Sequence, residues 1–158
     1  MKTRTYIFFL LAMISLSSFD FGPGKSESSV SFYKGSYDNM LREARKQKKG
    51  IILDFWASWC GPCKKMDMET FTDPALAKYI EANYLIFKVD IDTFDGMEIT
   101  DKFAVESFPS MLIMNHKAKP LEKLKGFYPP HYLEKELKNI VDKYQIIPES
   151  YKSELAAN

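Results

Sequence analysis

The sequence predicts an α/β fold with a mixed central sheet flanked by helices, and three observations carry that expectation. Apolar runs of strand length, at residues 51–57, 84–90 and 111–114, alternate with stretches whose apolar residues recur at helical spacing. The first run leads through a short turn, Trp59-Cys60-Gly61-Pro62-Cys63, straight into good helix formers, Lys64 to Glu69. The order is helix, strand, helix, helix, strand, helix, strand, strand, helix, which gives a four-stranded mixed sheet between helices.

The chain has 158 residues, 46% of them hydrophobic, enough for one domain with a proper core. Residues 1–18 stand apart from that core. Lys2 and Arg4 form a positive n-region, Tyr6 to Leu16 an apolar h-region, and Ser15, Ser17 and Ser18 offer small residues for cleavage. This is the pattern of a secretory signal peptide, and it is short for a membrane span; an uncleaved N-terminal anchor is the alternative. No cysteine follows the h-region, so a bacterial lipid-anchor site is absent. Export, to a bacterial periplasm, would place the two cysteines in an oxidising compartment. Net charge is +1, and −1 once the two cations Lys2 and Arg4 are removed, so neither nucleic acid nor an anionic membrane surface is indicated as partner. Residues 19–32, with Gly22, Pro23, Gly24 and several serines, read as a flexible linker.

Ser36 can cap a helix over 37–48, with Tyr37, Met40, Leu41 and Ala44 on one face. The cations Arg42, Arg45, Lys46, Lys48 and Lys49 suit the solvated face and C-terminal end of that helix better than a binding patch. Gly50 is expected to end it. The strand over 51–56 is apolar except for Asp54, a carboxylate in a run expected to be buried on both faces. Burial raises a carboxyl pKa, which makes Asp54 a candidate proton donor or acceptor near neutral pH; a locally paired or edge-exposed aspartate is the plainer reading.

Cys60 and Cys63 are the only cysteines of the chain. A Cys-x-x-Cys pair between strand and helix suits redox chemistry better than metal binding. If the helix begins near Cys60, that sulfur sits beside amide groups without helical partners. Those donors and the helix dipole favour a thiolate, so Cys60 is the expected nucleophile. Cys63, one turn further along the same face, can bridge to it and resolve the mixed disulfide that forms. Gly61 and Pro62 keep the loop tight, and proline is tolerated in a first helical turn.

The block Leu53-Asp54-Phe55-Trp56-Ala57-Ser58-Trp59-Cys60-Gly61-Pro62-Cys63-Lys64 resembles the thioredoxin family. An inert surface bridge would require neither Trp59, nor Gly61-Pro62, nor the preceding strand. The resemblance covers about residues 32–144 and implies a thioredoxin-like fold, with a thioredoxin-like domain at 33–144 and a polar tail at 145–158. It implies that Asp54 lies behind Cys63 and assists its proton transfer, and that Lys88 neighbours Asp54 and tunes it. Lys88 snorkelling to water from its strand is the alternative. Where thioredoxins often carry a proline after the cysteines this chain has Met68, and the run from Cys63-Lys64-Lys65-Met66 to Phe71-Thr72-Asp73-Pro74 is more similar to the C-terminal domain of DsbD-type thiol:disulfide interchange proteins. The expected result is a straighter helix with the same chemistry.

Beyond the motif, Asp73 and Pro74 open a helix to about Asn83. A strand over 84–90 follows, and then a helix over roughly 96–103. Asp90, Asp92 and Asp95 lack the spacing and closing Glu of a calcium loop, so they read as turn residues. Phe108-Pro109 precedes the strand over 111–114, and sequence leaves the isomer of that bond open. The resemblance implies a cis-proline at Pro109 against the cysteines, where the backbone of Phe108 pairs with substrate. Phe108 is bulkier than the family's usual residue there, so it narrows or re-aims the groove formed with Trp59, Gly61, Pro62 and Pro109. A hairpin turn over 115–119, a return strand over 121–125 and a closing helix over 132–144 complete the domain, with Leu133, Leu137, Ile140 and Val141 inward. His116 and His131 are read as surface residues, and Met40, Met66, Met68, Met97, Met111 and Met114 as core filler without metal-binding spacing.

The leading expectation is an exported thiol:disulfide reductase that acts as a monomer on substrate proteins with disulfides, recharged by a membrane or exported electron donor. It needs no cofactor beyond the redox-active disulfide Cys60–Cys63 and no metal. Gly61-Pro62 is the spacer of reducing thioredoxins, whose potential is about −270 mV. An oxidase or isomerase on the same fold would be expected to carry a more cationic or His-containing spacer. A non-catalytic binding module or metal carrier would need further soft ligands, which the sequence lacks.

Overall fold

A computed structural model describes residues 29–146. The signal peptide expected at 1–18, the linker up to residue 28 and the tail beyond residue 146 lie outside the described residues. Among the described residues four strands and five α-helices follow in the expected order, and the strands β1 (Gly50–Trp56), β2 (Tyr84–Asp90), β3 (Ser110–Met114) and β4 (Pro120–Lys125) lie in the sheet order β2-β1-β3-β4.

Helix α1 (Tyr37–Gln47) starts where Ser36 caps it, its hydroxyl accepting the Asn39 N–H at 3.3 Å. Met40 and Ala44 are fully buried, and the partly buried Tyr37 and Leu41 pack against the same cluster. The helix ends on Lys48 in the left-handed conformation (φ 54°), not on Gly50 as expected. Gly50 instead opens β1 (Gly50–Trp56), where a side chain is excluded by packing: a Cβ there would come within 2.6 Å of the Tyr84 ring.

Strand β1 is the centre of the sheet, parallel to β2 (Tyr84–Asp90) and antiparallel to β3 (Ser110–Met114). Strand β4 (Pro120–Lys125) pairs antiparallel with β3 through the hairpin. Alternation divides β1 between two clusters. Ile51, Leu53 and Phe55 pack with Met40, Ala44 and Ile99, whereas Ile52 packs with Ile86, Met111, Leu133 and Leu137. Asp54 and Trp56 share the face of Ile52.

After the cysteine turn the chain forms α2 (Gly61–Lys65) and then a π-helical turn over Met66–Thr70, closed by the Phe71 N–H donating to the Met66 carbonyl at 2.9 Å. This corrects the expectation of a straight helix. Packing decides it: the wider turn brings Met66, Thr70 and Phe71 all to buried positions, with the Thr70 hydroxyl on the Tyr128 carbonyl at 2.6 Å. It also turns Met68 out to 67% exposure, and Met97 is 49% exposed, so these two methionines are surface residues and, of the six, only Met40, Met66, Met111 and Met114 fill core.

Helix α3 (Pro74–Asn83) begins as expected, with the Asp73 carboxylate accepting the Leu76 N–H at 2.8 Å. Asp73→Ala is expected to lower unfolding stability by about 1 kcal/mol, read from the shift of a urea midpoint at unchanged slope. Helix α4 (Phe94–Lys102) starts two residues earlier than expected because Thr93 caps it, its hydroxyl accepting the Gly96 N–H at 3.1 Å. Gly96 is obligatory at the close approach of α4 to the end of β2: a Cβ would lie 1.8 Å from the Asp90 carbonyl oxygen. Helix α5 (Pro130–Tyr144) also starts two residues early and buries Leu133, Leu137, Ile140 and Val141 as expected.

Both ends of the domain extend past the expected boundaries. Val30, in the stretch read as linker, is buried and donates its N–H to the Phe71 carbonyl at 2.7 Å. Phe32 makes an isolated parallel bridge to Ile86 of β2, and its ring meets that of Phe71 edge-on at 5.2 Å. At the other end Ile146, read as tail, is buried against the core and donates to Val141. Apolar side chains in short polar stretches account for both differences. Among the described residues no helix is long and apolar enough to cross a membrane.

Candidate functional site

Cys60 and Cys63 form a disulfide at the end of β1, with Cα atoms 5.3 Å apart. Cys60 is the N-cap of α2, and its sulfur accepts the Cys63 N–H at 3.2 Å. Gly61 and Pro62 occupy the first two helical positions, where an N–H has no helical partner to lose. Cys60 is 5% exposed and Cys63 2%. The pair thus reaches solvent through the rim of a small apolar cluster in which Ala57 lies beneath and Trp56, Ile91 and Phe108 pack alongside.

Trp59 stands 65% exposed beside the pair. An exposed indole would ordinarily sample several rotamers, but its Nε1–H donates to Asp92 Oδ1 at 3.1 Å and its ring meets Phe108 edge-on at 6.4 Å. Asp92, read from sequence as a turn residue, is therefore also the anchor of the active-site tryptophan. The turn role holds as well, for Asp90 Oδ1 accepts the Asp92 N–H at 3.1 Å.

The Phe108–Pro109 peptide bond is cis. Pro109 is buried, and its carbonyl accepts the Gly126 N–H at 2.8 Å, while Ser110 Oγ donates to the Ser107 carbonyl. These bonds fix the loop that carries Phe108 against the cysteine cluster. The bulky Phe108 is half-buried and held by Trp59, forming one wall of the rim around the disulfide.

Asp54 is 2% exposed in the middle of β1. Burial pushes its carboxyl up from 3.8 to about 7; the Lys88 cation opposes that rise and the Asp67 carboxylate adds to it. Lys88 is the parallel register partner of Asp54 on β2. Its ammonium contacts both oxygens of Asp67 at 2.5 Å, with 24% of the Lys88 side chain and 33% of the Asp67 side chain exposed. It also lies 4.4 Å from the centre of the Trp56 ring and 5.1 Å from that of Phe32. Lys88 is thus neither snorkelling freely to water nor an unshared partner for Asp54.

Of the residues expected at the site, Trp59, Cys60, Cys63 and Phe108 meet just beyond the end of β1, with Gly61 and Pro62 between the cysteines and Pro109 next to Phe108, whereas Asp54 lies within β1 and Lys88 opposite it within β2. The structure adds Asp67, Asp92 and Phe32. Asp67 follows Cys63 by four residues on a continuing helix, and that spacing was the available signal. Phe32, in a stretch that reads as linker, had none.

The chain matches the profile of a thioredoxin-like domain over residues 37–140. It is 29% identical over 107 residues to a thioredoxin of Alicyclobacillus acidocaldarius, an alignment that covers 66% of this chain and 93% of that one. It is 32% identical over 104 residues to the thiol:disulfide interchange protein DsbD of Campylobacter jejuni, covering 65% of this chain but only 18% of that much longer protein. In fold it is similar to a thioredoxin of Thermus thermophilus, with a TM-score of 0.64, 24% identity, and coverage of 71% of this chain and 87% of that one.

Proposed function

The chain belongs to the thioredoxin-like family of thiol:disulfide oxidoreductases, and from that premise we propose that it is an exported reductase of protein disulfides. The observation that carries the proposal is the Cys60–Cys63 pair at the start of α2, with a Gly61-Pro62 spacer and no cation or histidine between the sulfurs. A cationic spacer would favour the dithiol form and make the pair an oxidant; its absence leaves the disulfide the favoured product, as a reductant requires.

In the reduced protein the Cys60 thiolate attacks one sulfur of a substrate disulfide. A Cys60–substrate disulfide forms, and the first substrate sulfur leaves as a thiolate that takes up a proton from water. Cys63 then passes its proton to the Asp54 carboxylate and attacks the Cys60 sulfur. The internal disulfide forms, the second substrate sulfur leaves as a thiolate that takes up a proton from water, and Asp54 returns its proton to solvent. Two electrons move from the cysteine pair to the substrate, and a dithiol donor outside this chain must return them. The pair is the whole redox carrier in this scheme, without metal or organic cofactor. Phe108 and Trp59 form the apolar wall against which the substrate chain lies, and the cis peptide at Pro109 sets the backbone that pairs with it. Lys2, Arg4 and the apolar run after them support export, and the compartment is a bacterial periplasm.

The test is the reduction potential of the pair in a dithiothreitol or glutathione titration. A value near the reducing end, about −270 mV, is expected. A value near about −120 mV would make the protein a disulfide donor and reverse the proposed direction.

A further inference from the structure

We infer that Asp67 is a positioning residue of the proton-transfer site: it locks the Lys88 ammonium between its carboxylate and the Trp56 and Phe32 rings, so that Asp54 faces a neutralised pair in place of a free cation. The inference rests on the reading of Asp54 as the proton carrier given above.

The geometry is specific. Asp54 on the central strand β1 and Lys88 on the neighbouring edge strand β2 are register partners, so a lysine with no other anion within reach would be drawn toward the buried carboxylate. Asp67 comes from a different element, the π-helical turn, and takes the ammonium on both of its oxygens. The rings of Trp56 and Phe32 hold the same ammonium from its other sides, which fixes where the charge sits. Trp56 is two residues from Asp54 on β1, and Phe32 lies across the outer edge of β2, so three separate segments of the chain converge on one cation. Among the described residues the charged groups acting on Asp54 are these two, Lys88 and Asp67, and β3 sets the uncharged Met111 beside it.

The two groups act on Asp54 in opposite directions, Lys88 favouring its ionised form and Asp67 its protonated form. Removing Asp67 deletes one effect and unmasks the other, so both changes push the same way. Asp54 would then give up its proton at lower pH and become a weaker base toward Cys63. A salt bridge that served stability alone would leave that titration where it is.

The test follows the side-chain carboxyl carbon of Asp54 by NMR across pH in the oxidised protein, with Asp54→Asn identifying the signal. Asp67→Asn is expected to move the inflection down by about one pH unit, Lys88→Met to move it up, and Asp67→Glu, which keeps the pair, to leave it in place. In the reduced protein, the acid limb of the pH–rate profile for disulfide reduction is expected to move down with it in Asp67→Asn. An unmoved or raised inflection in folded Asp67→Asn overturns the inference, as does a downward shift in Asp67→Glu equal to that in Asp67→Asn. Because the titration is read in the oxidised protein without substrate, it stands even if the potential shows the chain to be an oxidant.

Discussion

Cys63→Ser is expected to accumulate covalent complexes with disulfide-bearing proteins, while Cys60→Ser accumulates none and reduces nothing. The asymmetry comes from the positions of the two sulfurs. Cys60 caps α2, where its sulfur already accepts a backbone N–H, and it adjoins the exposed Trp59 at the rim. Cys63 lies one turn in, almost fully covered, and can reach an incoming chain only through Cys60. With serine at 63 the mixed disulfide has no internal attacker, so it persists until an outside thiol arrives. Turnover of a substrate such as insulin is expected to be lost in both variants, by several orders of magnitude. Non-reducing electrophoresis distinguishes them. Complexes trapped by Cys60→Ser and not by Cys63→Ser would exchange the assigned roles.

Asp54→Asn is expected to make the protein more stable above neutral pH while slowing reduction there. Burial holds the Asp54 carboxyl at about 7 in the folded chain, against 3.8 ordinarily, so between those values the folded state binds a proton that the unfolded state does not. Stability therefore falls as pH rises from about 4 to about 7, and the ionised form is disfavoured in the folded protein by about 4 kcal/mol. Asparagine never ionises. The variant should lose this slope and gain up to about 4 kcal/mol over the parent at pH 8, measured by guanidinium denaturation, with little difference at pH 4. Its reduction rate should lose the inflection near pH 7, since no carboxylate remains to take the Cys63 proton. Equal stability of parent and variant at both pH values would place the Asp54 carboxyl in contact with water.

Much of this site was legible because local rules and tertiary packing agree there. The run from Leu53 to Lys64 encodes strand, turn and helix start in residues whose preferences all point one way, and the two cysteines need only that local frame. Tyr84–Asp90 was readable to the residue because a capped helix ends on one side of it and an aspartate-rich turn begins on the other. The π turn over Met66–Thr70 was not readable, since Lys64 to Thr70 contains no helix breaker and the extra residue is imposed by packing around Phe71. Gly50 was misplaced for a similar reason: glycine marks a helix end by default, yet here the Tyr84 ring requires it inside a strand. The partnership of Lys88 with Asp67, and of Trp59 with Asp92, joins residues more than twenty positions apart. No periodicity in the sequence reports such contacts.

The bridge between Phe32 and Ile86 fixes where the chain can be shortened. Strand β2 is the outermost strand of the sheet on its side, and Phe32 and Tyr33 lie along its free edge, with the Tyr33 N–H on the Ile86 carbonyl at 2.7 Å. A recombinant version begun at residue 33, the boundary that composition alone suggests, would remove Phe32 from that edge and leave Tyr33 as a loose chain end. Its bare backbone could then recruit a second molecule strand to strand. It would also take one wall from the cage around Lys88, so a cut made for convenience would alter both solubility and the chemistry of a site far along the chain.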